Sequence, residues 1–313
     1  MKRLIEVIGL RKEFDAKENG KKKKLIAVDD VTFSIDESQT YGLIGESGSG
    51  KTTVGRVLLR LIDPTSGKMI FEGREYQKMK SRQFLSIRRK TQMVFQDPFY
   101  SLNPNQTVWG NVAGSSRKKG KALEKAVRTA FERVQIEESL YNKYPHQISM
   151  GQQQRTGIAR AIVDTPKFIV LDEPTSSLDL SVRGEIMALL VQLQKELKIS
   201  YLFISHDLST IKHMCHKVSI MYLGQVVESG DVNTVFENTS HPYSRALLSS
   251  VMYPDPTVKR SDYKLKGEIP SPIDLPCACY LGKRCPEATE ICFKERPPIK
   301  EIGEGHFVRC HNR

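Results

Sequence analysis

The chain has 313 residues, of which 39% are hydrophobic and 27% charged, and its formal net charge is +12. This length and composition are typical of a soluble globular protein with one large or two modest domains. They exclude a membrane-spanning chain, since no apolar run approaches the roughly 18 residues that a span requires, and the N-terminus lacks the apolar region of a signal peptide. We therefore expect a protein that stays in the cytosol.

The amino-terminal part is predicted to form antiparallel strands. Apolar and polar positions alternate through residues 1–38 around a charged insert, which indicates strands joined by a flexible loop. Residues 41–44 are short and rich in aromatic and β-branched side chains, so they predict a strand, and a helical pattern follows at 54–62. Residues 66–76 are bounded by glycines and predict a hairpin.

The second half is predicted to contain a strand, a helix and a strand in succession. The pattern is helical from Lys118 to about Ile162. Continuous apolar runs at 168–171 and 201–204 predict buried strands, and the spacing of apolar residues over 183–197 predicts a helix between them. This order implies a parallel sheet.

Another helix is expected from Leu208 to Val218, with Asp207 as its N-cap and Cys215 within it. Proline and cysteine become frequent after Ser240, so we expect a linker and then a separate tail from about residue 251.

Positive charge is concentrated at residues 21–24 and 117–121. Such runs can attract nucleic acid or an anionic membrane surface. Both lie among Gly, Asn or Ser and lack the interleaved aromatic residues that stack on bases. We interpret them as solvated loops and predict no nucleic-acid partner.

Residues 45–52 match the phosphate-binding pattern G-x-x-x-x-G-K-[ST] between a predicted strand and a predicted helix. The glycines let backbone N–H groups point at phosphate oxygens, with the positive end of the helix dipole behind them. We expect Lys51 to reach the β- and γ-phosphates and the Thr52 hydroxyl to bind Mg²⁺. The expected nucleotide-binding residues of this segment are Gly45, Glu46, Ser47, Gly48, Ser49, Gly50, Lys51, Thr52 and Thr53.

Two carboxylates follow the predicted strand 168–171, at the carboxyl end of a parallel strand where ligands bind in open α/β sheets. Asp172 is expected to hold Mg²⁺ through water, and Glu173 to polarise a water for attack on the γ-phosphate. His206 stands in the same way after the next strand, where a lone histidine is also often structural.

Five cysteines lie in the predicted tail, namely Cys277, Cys279, Cys285, Cys292 and Cys310. Disulfides are not expected in a cytosolic chain, so a metal or metal–sulfur site is the first alternative. The spacing of the last four matches no zinc finger, in which a pair lies two to four residues apart. Four thiolates are nonetheless what a [4Fe–4S] cluster requires, and zinc or unligated thiols remain as alternatives.

Together these residues resemble the ATP-binding cassette (ABC) ATPases. The phosphate loop resembles the Walker A motif, and five further motifs follow in the expected order. They are the Q-loop at Gln96, the signature at 149–153, Walker B at 171–175, the D-loop at 177–179 and the switch histidine His206. The resemblance implies an α/β fold with a P-loop (RecA-like) parallel-sheet core, an antiparallel β subdomain and an α-helical signature subdomain. It places an ATPase domain at 1–250, with the helical subdomain at about 97–162, and a small irregular Cys-rich tail at 251–313.

The resemblance also implies a dimer in which each ATP lies between the Walker A motif of one cassette and the signature of the other. Gln96 would sense metal and water, Glu173 would activate water, and His206 would stabilise the γ-phosphate. Mg²⁺ would be held by Thr52, Gln96 and Asp172. Ser149, Gly151 and Gln152 would serve the partner's ATP, and Phe14 stands where the family stacks an aromatic ring on adenine.

Residues 96–104 and 241–248 are similar to the oligopeptide and dipeptide importer subgroup, and 245–250 look more like the second of its two paired ATPase subunits. This implies a subunit at the cytoplasmic face of a prokaryotic membrane. Its partners would be a homologous ATPase, two transmembrane permeases that dock near Phe99 and Tyr100, and a solute-binding protein outside. Some members hold a [4Fe–4S] cluster, and the match falls on Cys279, Cys285, Cys292 and Cys310.

Three alternative functions remain: an importer of nickel or other small solutes, a soluble cassette ATPase acting on nucleic acid or ribosomes, and a non-enzymatic regulatory cassette. The sequence also departs from the family at Met150, which replaces the first glycine of the signature Ser-Gly-Gly-Gln. A side chain at a helix N-terminus that faces phosphate would crowd the site. We hypothesise that the composite site using this signature is the weaker one, unless Met150 points away.

Overall fold

The computed structural model describes residues 2–18, 20–249 and 263–313. The chain divides into two compact units. The first holds Lys2, residues 36–39 and residues 79–203. The second holds residues 3–35, 40–78 and 204–313, apart from those not described.

The strands are β1 Arg3–Glu18, β2 Lys21–Asp36, β3 Thr40–Ile44, β4 Ser66–Phe71, β5 Arg74–Glu75, β6 Thr91–Val94, β7 Phe168–Asp172, β8 Ser200–Ser205, β9 Lys217–Tyr222, β10 Gln225–Asp231, β11 Ile299–Gly303 and β12 His306–Arg309. The α-helices are α1 Lys51–Leu58, α2 Ser81–Arg88, α3 Pro98–Ser101, α4 Val108–Ala113, α5 Gly120–Arg133, α6 Met150–Ile162, α7 Leu180–Leu197, α8 Leu208–Met214, α9 Val232–Glu237 and α10 Pro242–Ser249. Short 3₁₀ helices occur at Glu138–Leu140, Pro145–Gln147 and Glu290–Phe293.

In the first unit the strand order is β8-β7-β6, and β6 pairs with β7 in parallel, with Val94 opposite Leu171. Every residue of β7 is buried, as its continuous apolar character predicts. All elements between Pro98 and Ile162 are helical, and α3, α4 and α5 pack against α6. The α5 residue Phe131 lies 4.6 Å from Tyr141, ring centroid to centroid, within the core of this helical part.

The second unit contains two sheets. One is antiparallel, with the order β2-β1-β4-β5. In the other, β3 pairs with β9 in parallel, and β9, β10, β12 and β11 continue in antiparallel pairs. The carboxyl end of β3, from which the phosphate loop leaves, therefore lies beside Ile220 of β9.

Several sequence predictions are confirmed. The 66–76 hairpin forms β4 and β5, and β3, β7, β8 and α7 lie where strands and a helix were expected. The overall class, an α/β fold with a parallel core, an antiparallel sheet and a helical part, is also confirmed. The phosphate-loop helix ends at Leu58, somewhat before the predicted pattern does.

Three local predictions are wrong. Residues 21–24 begin strand β2 instead of lying in a loop, although their side chains are mostly exposed. The helix after Asp207 ends at Met214, because Lys217 already begins β9 and pairs with Tyr41, and Cys215 is extended. The tail is not wholly irregular, because β12 pairs with β10.

The predicted boundary near residue 251 lies outside the described residues and stays a prediction. Among the residues that are described, no helix combines the length and the apolar character needed to cross a bilayer.

Candidate nucleotide site

The phosphate loop connects the buried strand β3 to helix α1, and glycines are required at both of its ends. A Cβ at Gly45 would lie 2.2 Å from the Met221 carbonyl oxygen, and one at Gly50 would lie 2.1 Å from the Ala27 carbonyl oxygen. Gly50 also has φ +98°, which L side chains rarely adopt. At both ends the loop therefore lies so close to neighbouring backbone that no residue with a side chain could replace the glycine.

Lys51, the first residue of α1, is buried within the curve of the loop. Its ammonium donates hydrogen bonds to the carbonyl oxygens of Gly45, at 2.8 Å, and Glu46, at 2.9 Å. Thr52 follows in the first turn of α1. A fixed ammonium at the positive end of a helix dipole gives this loop the charge that bound phosphates need.

Space beside the loop is compatible with a phosphate chain. Gly48 has φ +79°, and no atom lies within 4 Å of the position that its Cβ would take. The backbone N–H of Gly224 donates to the Ser49 carbonyl oxygen at 3.0 Å, which holds the loop from the opposite side. The backbone of the loop is therefore held by hydrogen bonds, while the space beside Gly48 is open.

Carboxylate and amide groups meet at the ends of β6 and β7 in the first unit. Gln96 Nε2 donates to Glu173 Oε2 at 3.1 Å. The buried Asp172 is the last residue of β7. The parallel pairing of β6 with β7 brings the residues that follow them to the same sheet edge. Oxygen ligands of these kinds suit Mg²⁺.

Glu173 has φ +47°, an unusual backbone conformation for a residue other than glycine. The turn is secured by Ser176, whose N–H and hydroxyl donate to the Glu173 carbonyl oxygen at 3.2 Å and 3.1 Å. Left-handed residues of this kind cluster at functional sites, where the surroundings fix them. The structure thus aims the Glu173 side chain through a locally strained turn.

His206 is exposed and follows β8, in the second unit. The next residue, Asp207, caps α8 by accepting from the N–H groups of Ser209, at 3.0 Å, and Thr210, at 3.4 Å. Partial burial opposes ionisation of Asp207, but the hydrogen bonds from Ser209 and Thr210 outweigh it and lower its pKa. The predicted cap is confirmed, and it fixes the chain directly after His206.

The signature residues open α6 in the first unit. Ser149 is the N-cap, and it exchanges hydrogen bonds with Gln152 in a capping box, at 2.9 Å and 3.2 Å. A Cβ at Gly151 would lie 2.8 Å from a methyl group of Val182, so this glycine is a packing requirement. Met150 is 45% exposed. Within this chain Met150 can turn to solvent, and its predicted effect on a second chain's ATP stays a hypothesis.

Phe14 lies on β1 in the second unit, with an exposed ring. The Lys12 ammonium lies 4.9 Å from the ring centroid. An exposed aromatic ring flanked by a cation is suitable for stacking on a base, but the predicted contact with adenine stays a prediction.

Four of the tail cysteines lie close enough to influence one another. Burial, with smaller contributions from the neighbouring Cys292, Cys310 and Cys285, raises the pKa of Cys279 to about 11. The Cys279 N–H also donates to the Cys292 carbonyl oxygen at 3.0 Å. Cys277 is exposed. Yet in the part of the chain that the structure describes, no three His, Cys, Asp or Glu side chains form a group able to hold a metal ion. The arrangement therefore does not support the predicted cluster.

Two residues that were not identified from the sequence lie outside the phosphate loop along the chain but contact it in the structure. Gly224 and the Ala27 carbonyl group contact the loop, and neither belongs to a nucleotide-binding motif. Leu223 and Gly224 form the tight turn between β9 and β10, and both have positive φ. A glycine at this turn is the local feature that could have drawn attention to Gly224. Nothing in the sequence around Ala27 marks its role.

Comparison with known families gives two matches. Residues 28–176 match the family model described as "ABC transporter". Residues 227–292 match the one described as "Oligopeptide/dipeptide transporter, C-terminal region". The two matches together include the phosphate loop and most of the tail cysteines.

Similar curated proteins cover almost the whole chain. The putative oligopeptide transport ATP-binding protein YkfD of Bacillus subtilis is 44% identical over 98% of this chain and 95% of its own length. The oligopeptide transport ATP-binding protein AppF of the same organism is 41% identical over 91% and 89%. The dipeptide transport ATP-binding protein DppF of Haemophilus influenzae is 38% identical over 98% and 96%.

Solved structures give the same fold. The cbiO1 protein of Clostridium perfringens, part of an ABC transporter complex, is 29% identical, with a TM-score of 0.65 over 76% of this chain and 92% of that one. A dimeric ATP-binding cassette in a post-hydrolysis state with ADP and Pi is 26% identical, with a TM-score of 0.65 over 73% and 99%.

Proposed function

This chain belongs to the ATP-binding proteins of ABC transporters, in the branch that carries the oligopeptide/dipeptide transporter C-terminal region, and we propose that it hydrolyses ATP to power peptide import. The observation that carries the proposal is one chain with six nucleotide-handling motifs and that C-terminal region. Relatives named for oligopeptide and dipeptide transport match it over nearly its full length, which supports peptides as the cargo.

The residues divide the chemistry of hydrolysis between them. Lys51 neutralises charge on the β- and γ-phosphates, and Thr52, Gln96 and Asp172 are the proposed ligands of Mg²⁺. When bound, Mg²⁺ supplies further charge neutralisation. The Glu173 carboxylate accepts the proton of the attacking water.

Gln96 orients the Glu173 carboxylate through their 3.1 Å hydrogen bond. His206 stabilises the charge that develops on the transferred phosphoryl group. Phosphoryl transfer depends mainly on positioning and electrostatics, so this set of groups is chemically sufficient. Phe14 completes the site by stacking on adenine.

Hydrolysis in this proposal needs a second cassette. Ser149, Gly151 and Gln152 of this chain face the ATP of a homologous ATPase subunit, whose own signature serves the ATP bound here. Where the partner's signature keeps the glycine that Met150 replaces in this chain, the two composite sites are unequal. Two different subunits are the proposed pair.

The proposed location is the cytoplasmic face of the cell membrane, bound to two permease subunits. Phe99 and Tyr100 on α3 are 50% and 85% exposed, and exposed aromatic side chains of this kind suit docking to another protein. A solute-binding protein outside the membrane delivers the cargo to the permeases.

A [4Fe–4S] cluster on Cys279, Cys285, Cys292 and Cys310, with zinc as the alternative, remains a finer proposal. Its support is the resemblance of these four cysteine positions to those of the importer ATPases that hold such a cluster. In the described geometry the side chains do not form a metal-holding group, so no catalytic step depends on the cluster. Iron and acid-labile sulfide measured on anaerobically purified protein test it, and absence of both removes it.

The deciding experiment for the function purifies the complex with its permeases and receptor and measures ATP hydrolysis with each candidate solute. Peptides should stimulate hydrolysis, and Glu173→Gln complexes should not respond. Stimulation by nickel or another small solute, and none by peptides, would assign the chain to the second kind of importer.

A further inference from the structure

Glu46, the second residue of the phosphate loop, is held from two directions by the C-terminal region. Its backbone N–H donates to the Tyr243 hydroxyl at 3.0 Å. Its carboxylate atom Oε2 lies 3.5 Å from Nη1 of Arg284. Tyr243 belongs to α10, and Arg284 precedes Cys285 in the tail. Tyr243 therefore lies 197 residues after Glu46 in the sequence, and Arg284 lies further still.

Arg284 and Tyr243 are themselves firmly placed. They are 9% and 1% exposed. The Arg284 guanidinium carbon lies 5.7 Å from the ring centroid of Tyr222, and the Tyr222 and Tyr243 centroids are 4.7 Å apart. The Arg284 backbone N–H also donates to the Leu281 carbonyl oxygen at 2.8 Å. A packed aromatic pair thus presents both the hydroxyl and the guanidinium to the loop.

The Glu46 carboxylate supplies the negative charge that the buried Arg284 guanidinium requires. A buried guanidinium without a counter-charge is strongly unfavourable. Glu46 Oε2 is buried and accepts no hydrogen bond from the described residues, so its partner is the guanidinium at 3.5 Å. This contact is electrostatic, because the 3.5 Å separation is at the limit of a hydrogen bond.

The Glu46 carbonyl oxygen also helps to hold the conformation of the phosphate loop. It accepts from the Lys51 ammonium at 2.9 Å and from the Ser49 N–H at 3.2 Å. Fixing Glu46 therefore fixes one of the two carbonyl groups that place the Lys51 charge. The sequence of contacts runs from Arg284 and Tyr243 to Glu46, and from Glu46 to Lys51.

We propose that Arg284 and Tyr243 are positioning residues for the phosphate loop, so that the C-terminal region sets the affinity of this chain for ATP. The inference rests on the proposed ATP site. The two residues touch no phosphate themselves. They act through Glu46 on the position of Lys51.

The first test is Tyr243→Phe in the full-length chain, which removes only the hydroxyl. The matched control is Tyr201→Phe, because Tyr201 is 0% exposed and its hydroxyl likewise makes one backbone contact, to the Leu190 carbonyl oxygen at 3.2 Å. Both variants should lose similar stability in urea unfolding. Only Tyr243→Phe should bind ATP more weakly, by about fivefold, the effect of losing one modest hydrogen bond at the site.

The second test is a double-mutant cycle of Glu46→Gln and Arg284→Gln, with Arg313→Gln as control. Arg313 forms an ion pair with Glu287 elsewhere in the C-terminal region. Each cycle variant should weaken ATP binding about three- to tenfold, and the double variant should be no worse than the worse single one. Arg284→Lys, which keeps the charge, should recover part of the loss. In the assembled complex Arg284→Gln should raise KM for ATP while kcat at saturating ATP stays close to wild type.

Unchanged ATP affinity in Tyr243→Phe, or fully multiplicative losses in the cycle, would overturn the proposal. Arg284→Gln is the variant most exposed to misfolding, and Tyr243→Phe and Glu46→Gln then decide alone. A wild-type chain that binds no ATP would instead contradict the proposed function. The two failures are therefore distinguishable.

Discussion

Asp29 connects the amino-terminal strands to the C-terminal region, and its replacement gives a prediction about stability. The side chain is 1% exposed. It accepts from Gln225 Nε2 at 3.0 Å and from the Tyr280 hydroxyl at 2.7 Å, and it forms ion pairs with Arg11 and, at 3.0 Å, with Arg296. One buried carboxylate thus serves four donors.

Asp29→Asn keeps the shape of the side chain but removes its charge and turns an NH₂ group toward donors. Breaking a buried ion pair typically costs about 3–5 kcal/mol. The side chains of Arg11 and Arg296 are 30% and 34% exposed, so water compensates part of the loss. We expect the free energy of unfolding to fall by about 3 kcal/mol, near the lower end of that range.

Asp30→Asn is the matched control, one residue further along the chain. The Asp30 side chain is 54% exposed, and its carboxylate lies 2.8 Å from Arg309 Nη2. Asp30 has φ +55°, which asparagine also tolerates, so the change adds no backbone strain. The Arg309 side chain is only 7% exposed, but it also donates to the carbonyl oxygens of Val226, at 3.3 Å, and Asp30, at 3.4 Å, and asparagine keeps an acceptor for it. We therefore expect a loss of about 1 kcal/mol, the upper end of the range for exposed pairs.

The assay is equilibrium urea unfolding, with the change in midpoint converted through the common m-value. The difference between the two variants should be about 2 kcal/mol or more. Equal losses in Asp29→Asn and Asp30→Asn would refute the reasoning, because burial would then not decide the cost.

Three further predictions concern the site and the tail. Glu173→Gln should lower turnover in the assembled complex at least about 100-fold while leaving the Kd for ATP unchanged, as expected for a general base, and retained hydrolysis at this chain's own site would remove that role. Met150→Gly should raise ATP hydrolysis by the complex if the methionine crowds the partner's ATP, and an unchanged rate would contradict the hypothesis. At pH 8 iodoacetamide should label the exposed Cys277 well before Cys279, because burial raises the pKa of Cys279 to about 11 and its reactive thiolate forms only as pH rises toward that value. Peptide mass spectrometry measures the labelling of each cysteine. Equal labelling of Cys277 and Cys279 would show that Cys279 is accessible.

The local parts of the site could be predicted from the sequence because their chemistry requires neighbouring residues. Residues 45–52 and the Asp172–Glu173 pair are read directly, since a phosphate loop and a strand end each occupy a few consecutive positions. The family resemblance placed Gln96 at the site, but its hydrogen bond to Glu173 was not predicted, because strand β6 was not recognised in the sequence.

Long-range pairing could not be predicted in the same way. The helix expected to reach Val218 ends at Met214 because strand pairing with β3 decides the conformation of residues 217–222. The lysine-rich residues 21–24 extend a strand because β1 pairs with β2, although nothing in their composition favours one. The Glu46–Arg284 contact joins groups whose neighbouring residues give no sign of each other.

The two middle positions of the signature, 150 and 151, are constrained by different partners. Gly151 is required within this chain, because a Cβ there would lie 2.8 Å from Val182 on α7. Met150 is 45% exposed, and it replaces the first turn's glycine without disturbing the Ser149 capping box. The fold of this chain therefore tolerates a side chain at 150, and any constraint on that position comes from the nucleotide and the second cassette. If Met150→Gly raises hydrolysis, the methionine slows hydrolysis of the partner's ATP alone. Hydrolysis of the ATP bound at Lys51 of this chain does not involve Met150.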